Sequence, residues 1–445
     1  MESMRGRLLQ FLFCLILTGG ILIFSVSIRG EHLSFLESEA ITVVQTQRIQ
    51  PVTPFWSLLD KILEPDSTLE DIQLKVGESD ISYYEEKFVR DDQGNIKINS
   101  HGIPRRERVL VKDPEREIAL KLLNIKTGVT EIVKITKKGS ELIAPMGYDI
   151  EVVERLSGIT WNAHNTYYKV NQPADSVVIK NAWPSINGYK SETSTVVVKG
   201  KKKKVTKKVP IVENKIYVPY SQGLNKPEIT QKGHEDLNDI VTRAKETLRG
   251  NKVMSRAFPD RLVADVLPDE YYFRRAIMER TDLGEMILDG TETIDMFYVI
   301  LATNGPGAFS SCNLSKACGM MQFTDRRTIK GLGTYTTVVR KFPTAGLIKD
   351  FKIGSTDQVN SVMAAILLDD LNLQSLVNTY GDKIYNDPRL EEYLASSYNG
   401  APNWVFKSLN ATLGKNFSDW TKHLRPETKG FMVKLRYLKD KGVPS

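Results

Sequence analysis

From Leu8 to Ile28 the chain reads LLQFLFCLILTGGILIFSVSI, without one charged side chain. A helix crosses hydrocarbon with about 20 apolar residues, so this stretch is long enough to span a bilayer. Arg5 and Arg7 precede it, and the positive-inside bias puts the start of the chain in the cytoplasm and the rest across the membrane. A cleaved signal peptide is the competing reading. Its apolar core runs about 7–15 residues and ends at a small-residue site, whereas this run is longer and Ser25-Val26-Ser27-Ile28-Arg29 is a poor site. An uncleaved single-pass anchor with an extracytoplasmic (periplasmic) bulk is therefore expected. Cys14 follows Phe11-Leu12-Phe13 inside the run, not the small-residue context of a lipoprotein cysteine.

The 445 residues suffice for two or three domains, each with its own core. A net charge of +7 suits a polyanionic neighbour such as cell wall or lipid headgroups. Nucleic acid, the other usual partner of a basic chain, is set aside because of the anchor and a disulfide-compatible cysteine pair. The basic excess is also local, concentrated in Lys199 to Lys208. Cys312 and Cys318 flank one loop on the outer side, where disulfides persist; a bridge is expected, with two free thiols as the alternative. No cofactor and no metal are expected.

The expected organisation is a cytoplasmic start and anchor over 1–29, a stalk over 30–54, a β-rich mixed region over 55–234, a helical connector over 235–280, and a mostly helical domain over 281–445. Phe55 to Leu63 has apolar residues at helical spacing. Short strands are expected between Ile81 and Ile143, among them Asn95–Asn99 and one starting at Arg108, with Glu115 to Asn124 as a helix. Thr193 to Val212 reads as a hairpin with the lysine run as its solvated tip, although contact with anionic headgroups or wall polymer is the functional alternative. Helices are expected over Glu235–Arg249, within Tyr271–Leu288, and over Thr291–Thr303, Asn360–Leu373 and Leu390–Tyr398, with Thr291 as an N-cap.

Three stretches carry a resemblance. The first is Ile300 to Thr328, ILATNGPGAFSSCNLSKACGMMQFTDRRT; the second is Tyr393 to Trp404, YLASSYNGAPNW; the third is Arg425 to Lys434, RPETKGFMVK. In that order they resemble the Gly-Leu-Met-Gln, Ala-Ala-Tyr-Asn-Ala-Gly and Pro-x-Glu-Thr motifs of the soluble-transglycosylase and goose-type-lysozyme group of lytic transglycosylases. The resemblance covers roughly Thr281 to Lys439 and implies a lysozyme-like fold acting on peptidoglycan, with one Glu serving as acid and then base. It also implies that Met321, Gln322, Tyr398 and Asn399 line a glycan groove. Core packing and capping are the alternative roles for these four.

Counting back from Gln322 by the family's usual loop length lands on Asn304, where the family carries its Glu. An amide has no proton to give near neutral pH. No Glu lies between Glu292 and Glu391, and Glu292 lies about 18 Å up the same helix. Asp325, Glu391, Glu392 and Glu427 are the remaining carboxylates near the motifs, and Arg326 and Arg327 would hold Asp325 low. Gly305-Pro306-Gly307 is a second departure from the pattern. The leading expectation is an α+β, membrane-anchored protein that binds glycan strands with catalysis lost or impaired. The runner-up is an active enzyme using a displaced carboxylate. The third is a structural scaffold among envelope proteins.

Overall fold

The computed structural model describes residues 56–89, 105–155, 158–198, 201–313, 315–326, 331–412 and 417–443. Two short helices come first, α1 (Leu58–Leu63) and α2 (Ser67–Glu70), each N-capped by a side chain, Ser57 and Asp66 respectively. They lead into β1 (Val76–Phe88) and the long β2 (Arg106–Asn124). The expected helix from Glu115 to Asn124 is thus corrected: it is the second half of β2. Ile118, Leu120 and Leu122 are buried on one face, and Ala119 and Leu123 on the other. A strand buried on both faces has no alternation to distinguish it from a buried helix, and its partners decide the outcome.

Those partners are β3 (Thr130–Lys138), pairing with Arg116–Leu123, and β7 (Ser176–Val198), pairing with Ala119–Asn124, both antiparallel. The order is β4 (Glu141–Ile143), β3, β2, β7, β8 (Lys201–Tyr217), with β1 added on β2; β5 (Asp149–Val152) and β6 (Tyr168–Gln172) form a separate pair. The expected hairpin is present as β7 and β8, but Lys201 to Lys208 stand inside β8, paired with Val198 to Ser191, instead of forming a tip loop. Lys204, Lys207 and Lys208 are exposed on this ribbon, where their charged heads stay in water. The sheet also buries Lys137, which donates to Asp113 at 2.7 Å and Tyr83 at 3.2 Å and lies over the Trp161 ring.

The expected fold class needs correction at its N-terminal end. Among the described residues no helix is long and apolar enough to cross a membrane, and the expected anchor Leu8–Ile28 lies outside them, as do Cys14, the stalk 30–54, the strand Asn95–Asn99 and Arg327. The described fold is α+β: a six-stranded sheet and a strand pair, followed by helices. The longest helices, α3 (Pro227–Gly250) and α9 (Gln358–Tyr380), carry charges and amides along their lengths.

Helix α3 crosses α6 (Thr291–Asn304) where Gly233 meets Tyr298; a Cβ on Gly233 would lie 2.1 Å from the Tyr298 carbonyl oxygen, so only glycine permits this approach. Between them lie α4 (Asp269–Arg280) and α5 (Leu283–Leu288). Helix α4 ends at an extended Thr281, and Asp282 then caps α5 by accepting from the Gly284 and Glu285 amides. At α6 the cap position is Gly290, not the expected Thr291; its φ of 60° is readily adopted by glycine. The remaining helices are α7 (Thr334–Lys341), α8 (Phe351–Thr356), α10 (Leu390–Gly400), α11 (Pro402–Thr412) and α12 (Pro426–Asp440). One apolar cluster joins sheet residues such as Leu122 and Trp183 to helical ones such as Val241 and Phe297.

One ion pair in the helical core is fully buried. Arg275 of α4 and Asp369 of α9 are both 0% exposed and form an ion pair. Burial pushes the Asp369 carboxyl up to about 6 against the lowering effect of Arg275, while Asp369 in turn raises the guanidinium. Asp369→Asn would leave the buried guanidinium without its paired countercharge, held by neutral groups such as the Tyr271 hydroxyl. It is expected to cost about 3–5 kcal/mol of stability, read by denaturant unfolding, whereas an exposed control such as Asp239→Asn changes little.

Candidate functional site

The end of helix α4 gathers the groups of interest. Tyr271 to Met278 are buried by packing on every side, which leaves Glu279 and Arg280 to project from the last turn. The closing carbonyls of that turn are held by Lys434 of α12, which donates to Met278 at 2.8 Å and also to Thr281. A cation is the favourable group at a helix C-terminus, where carbonyls lack amide partners.

Glu279 is half-buried, and one of its carboxylate oxygens is closed to solvent without a hydrogen-bond partner. Burial pushes its pKa from the usual 4.5 up to about 7, against the opposing fields of Arg275, Lys434 and Arg280, and Glu427 pushes it further up. A carboxyl poised near neutrality can give a proton and take one back, as a general acid–base requires. No partner among the described residues fixes it in one role.

Tyr398 of α10 stands beside this carboxyl. Its hydroxyl donates to the Met321 carbonyl, its ring lies 3.6 Å from the Arg275 guanidinium carbon, and Glu279 acts on it electrostatically. Burial pushes the phenol well above its ordinary value, so it stays protonated and forms a wall. Asn399 accepts from Thr428 at 3.0 Å, tying α10 to the turn that carries Glu427. Of the three stretches singled out in the sequence, Tyr398 and Glu427 act on Glu279 electrostatically, the Met321 carbonyl joins them through the Tyr398 hydroxyl, and Asn399 bonds Thr428 beside Glu427.

The other expected site residues have different work. Asn304 clamps the end of α6 to the segment after β8: it accepts from the Val218 amide at 2.9 Å and donates to the carbonyls of Val218 and Ile300 at 3.1 Å each. A carboxylate could not donate to those two carbonyls, which is a physical reason for an amide here. The Met321 side chain is 0% exposed and belongs to the core. Gln322 uses its amide within its own loop, accepting from Asn313 at 3.1 Å and donating to Gly319 at 2.8 Å. A disulfide joins Cys312 to Cys318 across that loop. At Gly319, with φ of 73°, a Cβ would overlap the Ser355 carbonyl oxygen at 1.6 Å, so the loop packs flush on α8.

The carboxylates weighed from the sequence are likewise engaged. Asp325 caps α7, accepting from the Thr336 amide at 2.8 Å and hydroxyl at 2.6 Å, in place of the side chain that Gly333 lacks. Glu391 holds Arg274, Glu392 holds Arg436 and the Trp420 indole, and Glu292 accepts from Tyr220. The spacing from Gln322 points to Asn304 and so away from Glu279. Its available signal was a Glu in the last turn of a helix, directly after the apolar run Ala276-Ile277-Met278.

The β-rich region closes the site from the other side. Tyr217 and Tyr167 act electrostatically on Arg280, whose guanidinium lies 4.7 Å from the Phe309 ring centre. His164 packs edge-on against Tyr217, and burial together with Lys215 and Arg280 holds its pKa down at about 4. Arg155 reaches α5, donating to Glu285 at 3.0 and 3.2 Å.

No family model matches the chain, and no curated protein matches it.

Two outcomes follow. Asn304→Glu is expected to cost about 1–3 kcal/mol, the penalty of leaving buried carbonyls unmatched, as read by thermal and denaturant unfolding. For Glu279 the sign is set by its raised pKa: the folded state holds the proton more tightly than the unfolded chain, so stability falls as pH rises from 4.5 through about 7. Glu279→Gln is therefore expected to gain stability over the native protein at alkaline pH and to lose that gain in acid, measured as melting temperature against pH.

Proposed function

We propose that the chain is a glycan-cleaving enzyme of the lytic transglycosylase type, acting on peptidoglycan with Glu279 as its general acid and base. The observation that carries this reading is the Glu279 carboxyl itself. It is raised to about 7, has one oxygen unpartnered, and stands where the Met321, Tyr398 and Glu427 stretches converge. The amide at Asn304 then no longer argues for lost catalysis, because that position supports the fold while the proton donor comes from α4.

In this reading the protonated Glu279 gives its proton to the oxygen leaving the muramic acid carbon as the glycosidic bond breaks. The resulting carboxylate takes a proton from the incoming hydroxyl. By the resemblance, that hydroxyl is the muramic acid's own 6-hydroxyl, which leaves a 1,6-anhydro end. Partial burial does two things at once: it keeps the acid protonated near neutrality and strengthens the charge interactions around it. The Cys312–Cys318 bridge fits an extracytoplasmic, oxidising compartment, and the net charge of +7 fits an anionic wall polymer.

The test is digestion of purified peptidoglycan by the full chain through a pH series spanning neutrality, with products read by mass spectrometry. Anhydro-muropeptides are expected, with activity falling as pH rises past about 7. Glu279→Gln is expected to lose about 10²–10⁴-fold, while Asp325→Asn keeps the cleavage chemistry. A native protein that binds glycan without cutting it returns the domain to a binding role. One that neither binds nor cuts leaves it a scaffold.

A further inference from the structure

Next to Glu279 in the chain stands Arg280, a cation that forms no salt bridge among the described residues. Arg280 is half-buried, and its Nε is closed to solvent without a hydrogen-bond partner. The contrast with its neighbours on the same helix is sharp: Arg274 has Glu391 and Arg275 has Asp369. Arg280 faces the Phe309 ring at 4.7 Å and the phenols of Tyr217 and Tyr167 instead. Desolvation disfavours its charged form, and half-burying a guanidinium without an anion is costly unless something else repays it.

The surroundings hold Arg280 where it is. Phe309 is a bulky residue in left-handed backbone, with φ of 59°, a conformation that costs energy and needs its neighbours to enforce it. It is stacked on Phe297 at 5.0 Å, and Gln358 of α9 donates to the Gly305 and Ala308 carbonyls at 2.8 and 3.1 Å, fixing the loop that presents it. Tyr217, from the last residue of β8, is hydrogen-bonded to the Phe309 backbone. Sheet and helices thus jointly support a guanidinium at the same helix end as the acid, over an aromatic ring and without a salt bridge among the described residues. A guanidinium so placed matches a carboxylate, which it can grip through two parallel hydrogen bonds.

We infer that Arg280 is a substrate-recognition residue that binds a carboxylate carried by the sugar adjoining the scissile bond, which restricts the enzyme to acidic glycans. This extends the reading of Glu279 as the acid, and it can fail separately from that reading because it concerns binding alone. In peptidoglycan the carboxylate could be the free lactyl group of a muramic acid or a carboxylate of its attached peptide. The same fork would hold either.

The test measures binding by calorimetry, with the full-length Glu279→Gln protein so that no turnover intervenes. The probes are a muramic acid tetrasaccharide with free lactyl carboxylates, its lactyl methyl ester, a peptide-bearing form, and a neutral N-acetylglucosamine tetramer. Tighter binding of a carboxylate-bearing form than of the ester, by about 10- to 100-fold, is expected from a charge-assisted pair. Whichever acidic form holds that preference identifies the source. Adding Arg280→Gln is expected to abolish the preference while ester and neutral tetramer bind as before. Arg280→Lys, which keeps the charge without the fork, is expected to retain part of it and serves should the Gln variant not fold. Equal binding of acid and ester by the parent, or equal loss of all four ligands on Arg280 replacement, would overturn the inference. If native digestion fails yet the carboxylate preference holds, the Glu279 reading falls and Arg280 remains a recognition site.

Discussion

The buried ion pair between Arg275 and Asp369 is the interaction on which the helical part depends. It joins α4 to α9, and the same guanidinium covers the Tyr398 ring of α10 at 3.6 Å. One planar cation therefore links three helices, a task a lysine could not perform because its ammonium has neither the fork nor the face. A pair buried this deeply contributes little net stability, since desolvation offsets most of the attraction. Its value is in orientation: it sets the rotation of α4 about its axis, and that rotation decides where Glu279, one turn on, projects.

The charges of the helical part are handled in two ways. Most carboxylates close to the motif stretches are engaged in ion pairs or caps, and these are structural by their geometry. Glu279 and Arg280 form no salt bridge among the described residues; they are adjacent in the chain and each keeps one buried polar atom without a hydrogen-bond partner. A half-buried acid whose pKa is raised by burial, beside a half-buried cation, is the kind of arrangement that clusters at functional sites.

The β-rich region also shapes this place. Val218 is clamped by Asn304, Tyr217 contacts the loop that carries Phe309, and Arg155 grips α5. Long strands give this contact its rigidity: β2 runs 19 residues and β7 runs 23, so the sheet's end next to the helices is fixed by many ladder bonds. The segment that joins sheet to helices is itself a wall of the candidate site.

Much of the helical part was legible from the chain, because periodic apolar faces are local: Thr291–Thr303, Asn360–Leu373 and Leu390–Tyr398 all lie within observed helices. The pairing of Cys312 with Cys318 was readable as well, from loop spacing. Three things were not. Glu115–Asn124 has the composition of a helix and becomes a strand because β3 and β7 flank it. Asn304 stands at the expected spacing, yet its hydrogen bonds run to Val218, 86 residues away. The poised carboxyl comes from Glu279, separated from the motif by α5 and α6. Local sequence determines which segments can be helices and where they stop, since capping and periodicity act over a few residues. Which carboxyl has its proton affinity raised is decided by burial and by charges from distant segments, and those exist only once the chain has folded.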